Sequence, residues 1–238
     1  MNIEARLDEV RNEYLHRITR GDNTLLRQVE SYTASHIGKM LRPRMLLSAA
    51  ATLGIEHLTS RRTLLLAVCV EMLHNASLLH DDVIDHASSR RGQPSVNVRW
   101  NNAVAVLVGD YLLTQIMELL SELNDRDITI KVNSVVRSMV EAELLAQELS
   151  NVQPDNLIPN TQHLTQNTYT KIIDGKTANL FALAAELGNP AYRDFVLHYG
   201  RLFQLRDDID DDEATPWTAQ LIEQEEYAIK QLDNILNL

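Results

Sequence analysis

The side chains best suited to chemistry in this sequence are aspartates, and they come in two groups of matching spacing. The stretch LLHDDVIDHASSRRGQP carries Asp81, Asp82 and Asp85, while FQLRDDIDDDE carries Asp207, Asp208 and Asp211, extended by Asp210 and Asp212. On a helix, residues i and i+4 share a face, so Asp81 and Asp85 point the same way, about 5–6 Å apart at Cβ. Two such carboxylates repel unless a cation lies between them. Mg2+ favours carboxylate oxygens completed by substrate phosphates over an all-protein cage. Acids near a helix C-terminus also oppose the macrodipole, so both groups stand where they cost stability. One group alone reads equally well as a solvated helix end. Two of identical spacing, each closing an apolar helix, point to one shared role. Carboxylate stripes facing each other across a bundle could hold several Mg2+ ions around one diphosphate.

The cations complement this reading. Lys39 and Arg42 precede or flank Pro43, and Arg90 and Arg91 follow the first acidic group. Arginine makes planar, bidentate contacts with phosphate oxygens, and lysine acts as a point charge. Each pair alone is an ordinary solvated surface; beside a metal-binding group, Arg90 and Arg91 gain a site reading. DGKTANLF places Lys176 and Thr177 in mid-helix, where Gly175 weakens the helix and permits a kink or a close backbone approach.

The elements that must carry these residues are helical. Hydrophobic residues make up 45% and aromatics only 5%, with few prolines and glycines, which favours helices over a sandwich or barrel. Apolar positions at helical spacing predict helices at 3–18, about 24–37, from Pro43 to Gly54, Arg61 to about His86, about Arg99–Leu123, Ile128–Leu149, about 161–187, 191–212 and 218–237. VQPDNLIPN reads as a loop and SSRRGQPSVN as a turn; no period-two strand pattern lasts. The expectation is one all-α domain over 1–238, with nine or ten helices and both aspartate groups on one cavity. A net charge of −11, from 33 acids and 22 bases, argues against nucleic-acid binding by a broad basic face. It makes a bridging divalent cation the natural route to a polyanionic ligand. Cys69 reads as core, with no disulfide framework. The opening MNIEARLDEV lacks a signal peptide's basic start and apolar centre, and no uninterrupted apolar stretch reaches bilayer length. A soluble cytoplasmic protein without a transmembrane segment is expected.

From about Gly38 to Asp211 the chain resembles the trans-prenyl diphosphate synthases. GKMLRP, EMLHNASLLHDDVID with RRGQPSVN, GDYLL, KTANLF and FQLRDDIDD match five of that family's motifs in order. The resemblance implies an antiparallel helical bundle of the isoprenoid synthase type. It also implies condensation of isopentenyl diphosphate with an allylic diphosphate through Mg2+-assisted ionisation. By the same token Asp81, Asp82, Asp85, Asp207, Asp208 and Asp211 would bind Mg2+, three ions, with the allylic diphosphate. Lys39, Arg42, His74 and Arg91 would hold isopentenyl diphosphate; His74 precedes Asp81 by seven residues and so shares its face. Arg90 and Lys176 would contact the allylic diphosphate, and Thr177 and Gln204 would place oxygen dipoles near the allylic carbon. The released diphosphate would serve as base. Large aromatics near Ala76 and Ser77 would form a floor that stops elongation; both residues are small here, so a product of C20 or longer is expected. Tyr111, Met117 or Met139 could close the tunnel instead. A homodimer is implied, with a heteromer as the other assembly.

The sequence departs from the family pattern at Ile37 and Met40, which stand for a glycine and a basic residue, and between Leu187 and Gly200, which reads as shortened. After Asp211 the part normally formed by a lysine-bearing loop and several helices is also shortened, and Lys230 stands in a different context. Two other functions therefore compete with an active synthase: a non-catalytic helper subunit and a terpene cyclase. Intact aspartates argue against the first, and the Lys39, Arg42 and His74 set against the second.

Overall fold

The structure, a computed structural model, describes residues 2–20, 22–35, 38–150, 165–211 and 213–236. Ile37, Asp212 and the predicted loop VQPDNLIPN lie outside the described residues. The chain gathers into two compact units, Met1–Ile128 and Thr129–Leu238. Twelve α-helices are present among the described residues.

The first unit is built on one buried helix. α1 (Ile3–Ile18) starts where the Asn2 side chain accepts from the amide of Ala5 and buries Leu7, Val10, Tyr14 and Ile18. α2 (Thr24–Ala34) and α3 (Leu41–Ala51) follow. Helix α3 begins two residues before Pro43, so the proline sits in the first turn, where its missing N–H costs nothing. A short α4 (Ile55–Thr59), unmarked by periodicity, leads to α5 (Arg61–Ile84). Ser60 caps α5 by accepting from the amide of Thr63, 3.1 Å away. Residues Thr63 to Leu73 of α5 are all buried, because α1, α3 and α7 surround it. The hairpin β1 (Ser89–Arg90) and β2 (Gln93–Pro94) occupies the predicted turn. Its two central residues, Arg91 (φ 53°) and Gly92 (φ 75°), adopt the left-handed conformation that a two-residue hairpin loop requires. α6 (Val96–Arg99) and α7 (Asn102–Leu123) complete the unit. Correcting the expectation from sequence, α5 and α7 are long and apolar enough to cross a bilayer by length and composition. The apolar window of α5 is 78% buried and that of α7 only 44%, so α5 is a core helix.

α8 (Arg126–Ser150) begins at the end of the first unit and runs into the second. There follow α9 (Gln166–Ile173), a single π-helical turn (Asp174–Ala178), α10 (Asn179–Gly188), a 3-10 turn (Pro190–Tyr192), α11 (Arg193–Asp210) and α12 (Thr218–Leu236). The helix predicted through Gly175 is thus split by a π-turn. A Cβ on Gly175 would lie 2.3 Å from Ala142 Cβ and 2.7 Å from Ser138 O of α8, and one on Gly200 would lie 2.8 Å from Ala178 Cα. Two glycines therefore let α8 and α11 close on either side of the turn carrying Lys176 and Thr177. Tyr169, Ile173, Leu205 and Leu221, with Trp217 and Ile222, form a core cluster that ties α12 to α9 and α11.

Candidate active site

In the first unit, the last turn of α5 carries Asp81, Asp82 and Asp85. Residue i+1 points about 100° away from i on a helix, and the structure uses that difference. Asp82 turns inward and is 3% exposed. Its Oδ1 accepts from Arg90 Nε at 2.9 Å and from Arg90 Nη2 at 2.5 Å. Asn97 Nδ2 donates to the Asp82 and Ala87 carbonyls at 3.0 and 3.2 Å. The hairpin and α6 thereby clamp the helix end. Asp81 is half-buried and Asp85, at the C-cap, is exposed.

Further up α5, Glu71 and His74 interact electrostatically with Arg42 and Arg91; of the four, Glu71 is buried, Arg42 and His74 are half-buried and Arg91 is exposed. Glu71 is 1% exposed, and Asn75 Nδ2 donates to its carbonyl at 2.9 Å and to Oε1 at 3.3 Å. Burial raises the Glu71 carboxyl, opposed by the charges of Arg42 and Arg91. Burial also lowers Arg42 to about 10. His74 is held well below the ordinary histidine range, first by burial and then by Arg42, Arg91 and Arg90, so it is neutral at pH 7. The Arg91 guanidinium lies against Gly38, where a Cβ would come within 2.8 Å of Cζ. Lys39 is exposed and lines a separate groove of about 380 Å³ with Glu4, Asp8, Arg11 and Arg44. Of the four residues expected to hold isopentenyl diphosphate, the structure brings three together. Ala76 is buried, whereas Ser77 is half-buried with its hydroxyl bonded to the His74 carbonyl at 3.0 Å.

In the second unit, the last turn of α11 repeats the pattern. Asp208 turns inward at 6% exposure; Tyr169 donates to its Oδ2, and Gln204 Nε2 donates to its Oδ1 at 2.7 Å. Thr177 Oγ1 donates to Gln204 Oε1 at 2.5 Å. The π-turn is thus hydrogen-bonded to the aspartate group through Gln204. Asp207 is raised by burial, then by Asp211, Asp208 and Asp210: the crowding of negative charge favours a cation. Lys176 Nζ pairs with Glu143 Oε2 at 2.6 Å, and Gln147 Nε2 donates to Glu143 Oε1 at 3.0 Å. Burial pushes Glu143 up, but Lys176 and Gln147 outweigh it and hold the carboxyl below its usual value.

In both groups the middle aspartate is held by the protein's own donors, while the outer pair stands one turn apart. Among the described residues, no three His, Cys, Asp or Glu side chains converge to hold an ion by themselves.

The sequence pattern of the polyprenyl synthetase family matches residues 23–220. The chain belongs to this family. It is 38% identical over 194 residues to the all-trans-nonaprenyl-diphosphate synthase (geranyl-diphosphate specific) of Rhodobacter capsulatus, covering 78% of this chain and 56% of that protein. Its fold matches a decaprenyl diphosphate synthase from Rhodobacter capsulatus (TM-score 0.79, 29% identity, 88% of this chain and 64% of that one). It also matches a polyprenyl synthase from Caulobacter crescentus CB15 complexed with calcium and isoprenyl diphosphate (TM-score 0.75, 33% identity, 86% and 62%). The all-α isoprenoid synthase fold expected from sequence is therefore established. The chain spans a little over half the length of the curated relatives it matches first.

Within this polyprenyl synthetase fold, sequence reasoning missed Glu71, Glu143 and Tyr169. Glu71 carried a signal: an acid inside the apolar run LLLAVCVEML must find cations or lose its charge. Glu143 and Tyr169 stand among ordinary helix residues, and only the folded chain pairs them with Lys176 and Asp208.

Proposed function

We propose that this chain is a prenyltransferase that condenses isopentenyl diphosphate with an allylic diphosphate, giving products of C20 or longer. The observation that carries this reading is the repeated aspartate arrangement: an inward, hydrogen-bonded middle residue and an outer pair one helical turn apart. In our reading Asp81 and Asp85 hold Mg2+ for the allylic diphosphate, and Asp207 and Asp211 do the same. Asp82 and Asp208 fix the carboxylate stripes. Bound Mg2+, three ions, would supply positive charge to the departing diphosphate. Arg90 and Lys176 add cationic donors where negative charge develops. The oxygens of Thr177 and Gln204 face the electron-poor allylic carbon. Arg42 and Arg91 bind isopentenyl diphosphate, and neutral His74 contributes a hydrogen bond rather than charge. Apolar helices exclude water from the cation, and the released diphosphate takes the proton.

The names of relatives support long products: nonaprenyl, octaprenyl and geranylgeranyl diphosphate synthases. The protein acts in the cytoplasm as a homodimer in this reading. The face of α7 that carries Val106, Leu107 and Met117, 38%, 66% and 68% exposed, would be covered by a second copy. The test is incubation with labelled isopentenyl diphosphate and C10, C15 or C20 allylic primers, with products sized by mass spectrometry. Chain extension supports the reading. No extension from any primer contradicts it and favours the helper-subunit alternative.

A further inference from the structure

Helix α12 enters none of the chemistry above, and most of it lies past residue 220, where the family match ends. Yet it carries a buried carboxylate, Glu225, at 7% exposure. Glu225 Oε2 stands 2.5 Å from His198 Nδ1, and Oε1 stands 3.6 Å from Arg201 Nη1. Arg201 in turn makes a two-point contact with Asp174: Nε donates to Oδ1 at 2.5 Å and Nη2 to Oδ2 at 2.8 Å. Asp174 is the first residue of the π-turn that presents Lys176 and Thr177. A charged chain thus runs from the middle of α12, across α11, to the backbone segment that the proposed mechanism relies on.

A buried carboxylate is costly unless paired, and a surface helix serving only to cover α11 could do so with apolar residues alone. The neighbouring pair Glu226–Arg206, at 2.8 Å, shows what a solvated contact on the same helix looks like: its partners are 51% and 60% exposed. Glu225 differs in being buried and in leading to Asp174. A π-turn is an uncommon, single-turn departure from α-helical geometry, and Arg201 fixes its first residue through a planar, bidentate contact. With Arg201 held from the far side by Glu225, the turn is fixed at its start, while Thr177 is fixed at its end by Gln204.

We propose that Glu225 is a positioning residue for the allylic-diphosphate end of the site, acting through Arg201 and Asp174 on the Lys176–Thr177 turn. The proposal rests on the prenyltransferase reading for its kinetic consequence but not for its structural one. The near-isosteric Glu225→Gln removes the charge and keeps the shape, and Glu226→Gln on the same helix is the control. Two measurements are made on each protein: amide hydrogen exchange over residues 174–178, and separate KM values for the allylic primer and isopentenyl diphosphate. The expected result for Glu225→Gln is exchange at 174–178 faster by roughly tenfold, about the loss of one charge-assisted contact. The allylic KM should rise by a similar factor, with the isopentenyl diphosphate KM unchanged. Glu226→Gln should move neither. Unchanged exchange overturns the proposal, as do equal rises in both KM values. If wild type shows no condensation, the prenyltransferase reading fails and exchange alone decides the wiring. Should Glu225→Gln not fold, Asp174→Asn cuts the same chain one link further on and is read in the same way.

Discussion

Replacing Gly175 with alanine should destabilise the protein even though alanine is the better helix former. The added Cβ would stand 2.3 Å from Ala142 Cβ and 2.7 Å from Ser138 O, against ordinary carbon contacts of about 3.5–4.0 Å. Neither neighbour can rotate away, since one is a Cβ fixed to the backbone and the other is backbone itself. The π-turn and α8 must therefore separate by about 1 Å or more. Overpacking of this kind costs roughly 1–3 kcal/mol, offset by about 0.4–1 kcal/mol from the less flexible unfolded chain. At the middle of both ranges, a net loss of about 1.3 kcal/mol would lower Tm by roughly 3–5 °C for a chain of this size. Thermal unfolding followed by circular dichroism reads this directly. Ala142→Gly in the same chain removes the closer contact but not the carbonyl, so the double variant should recover part of the loss, a coupling that a double-mutant cycle isolates. The allylic KM should rise in Gly175→Ala, because the turn bearing Lys176 moves. A Tm equal to or above wild type, or a double variant no better than the single one, would refute the packing argument.

Tyr169→Phe removes one of the two side-chain donors to buried Asp208 and should cost about 1–3 kcal/mol in urea unfolding while lowering turnover; unchanged stability and turnover would show that Gln204 suffices. Glu30 is 1% exposed, neither of its carboxylate oxygens has a hydrogen-bond partner among the described residues, and burial raises its pKa from 4.5 to about 8. Between those values the folded state binds more protons than the unfolded one, so this group's contribution to stability is full below pH 4.5 and is lost as pH rises through about 8. Glu30→Gln should flatten that decline, and denaturant midpoints measured from pH 5 to 8.5 check it; an undiminished slope assigns it elsewhere. Ala76 is already buried, so a larger side chain there would confuse overpacking with length control. The half-buried Ser77 is the cleaner site, and Ser77→Phe should shorten the products seen by mass spectrometry; an unchanged distribution removes this account of chain length.

Much of the fold was legible because helical periodicity and cap residues are local signals. α1 and the C-terminal end of α7 fall where the pattern places them. α4 and α6 escaped because five- and four-residue helices complete too few turns to show a period. The hairpin escaped because RG, not a familiar Asn-Gly or Asp-Gly pair, fills its positive-φ loop. For the site, i,i+4 spacing identified both aspartate groups. It could not say that the middle residue of each turns inward, since that depends on Arg90, Tyr169 and Gln204 arriving from other segments. The ion pair of Lys176 with Glu143 spans residues far apart in sequence and has no local signature.

The central claim is that both aspartate groups act in one Mg2+-dependent ionisation. The most direct measurement is incorporation of labelled isopentenyl diphosphate into an allylic primer by wild type, Asp81→Ala and Asp207→Ala, each with Mg2+ and with excess chelator. Asp81 is half-buried and Asp207 is half-buried beside other carboxylates, so neither substitution should unfold the chain, and circular dichroism verifies that. The account predicts incorporation by wild type with Mg2+, its loss with chelator, and a fall by orders of magnitude in both variants. Undiminished incorporation in either folded variant, or in chelator, would contradict it.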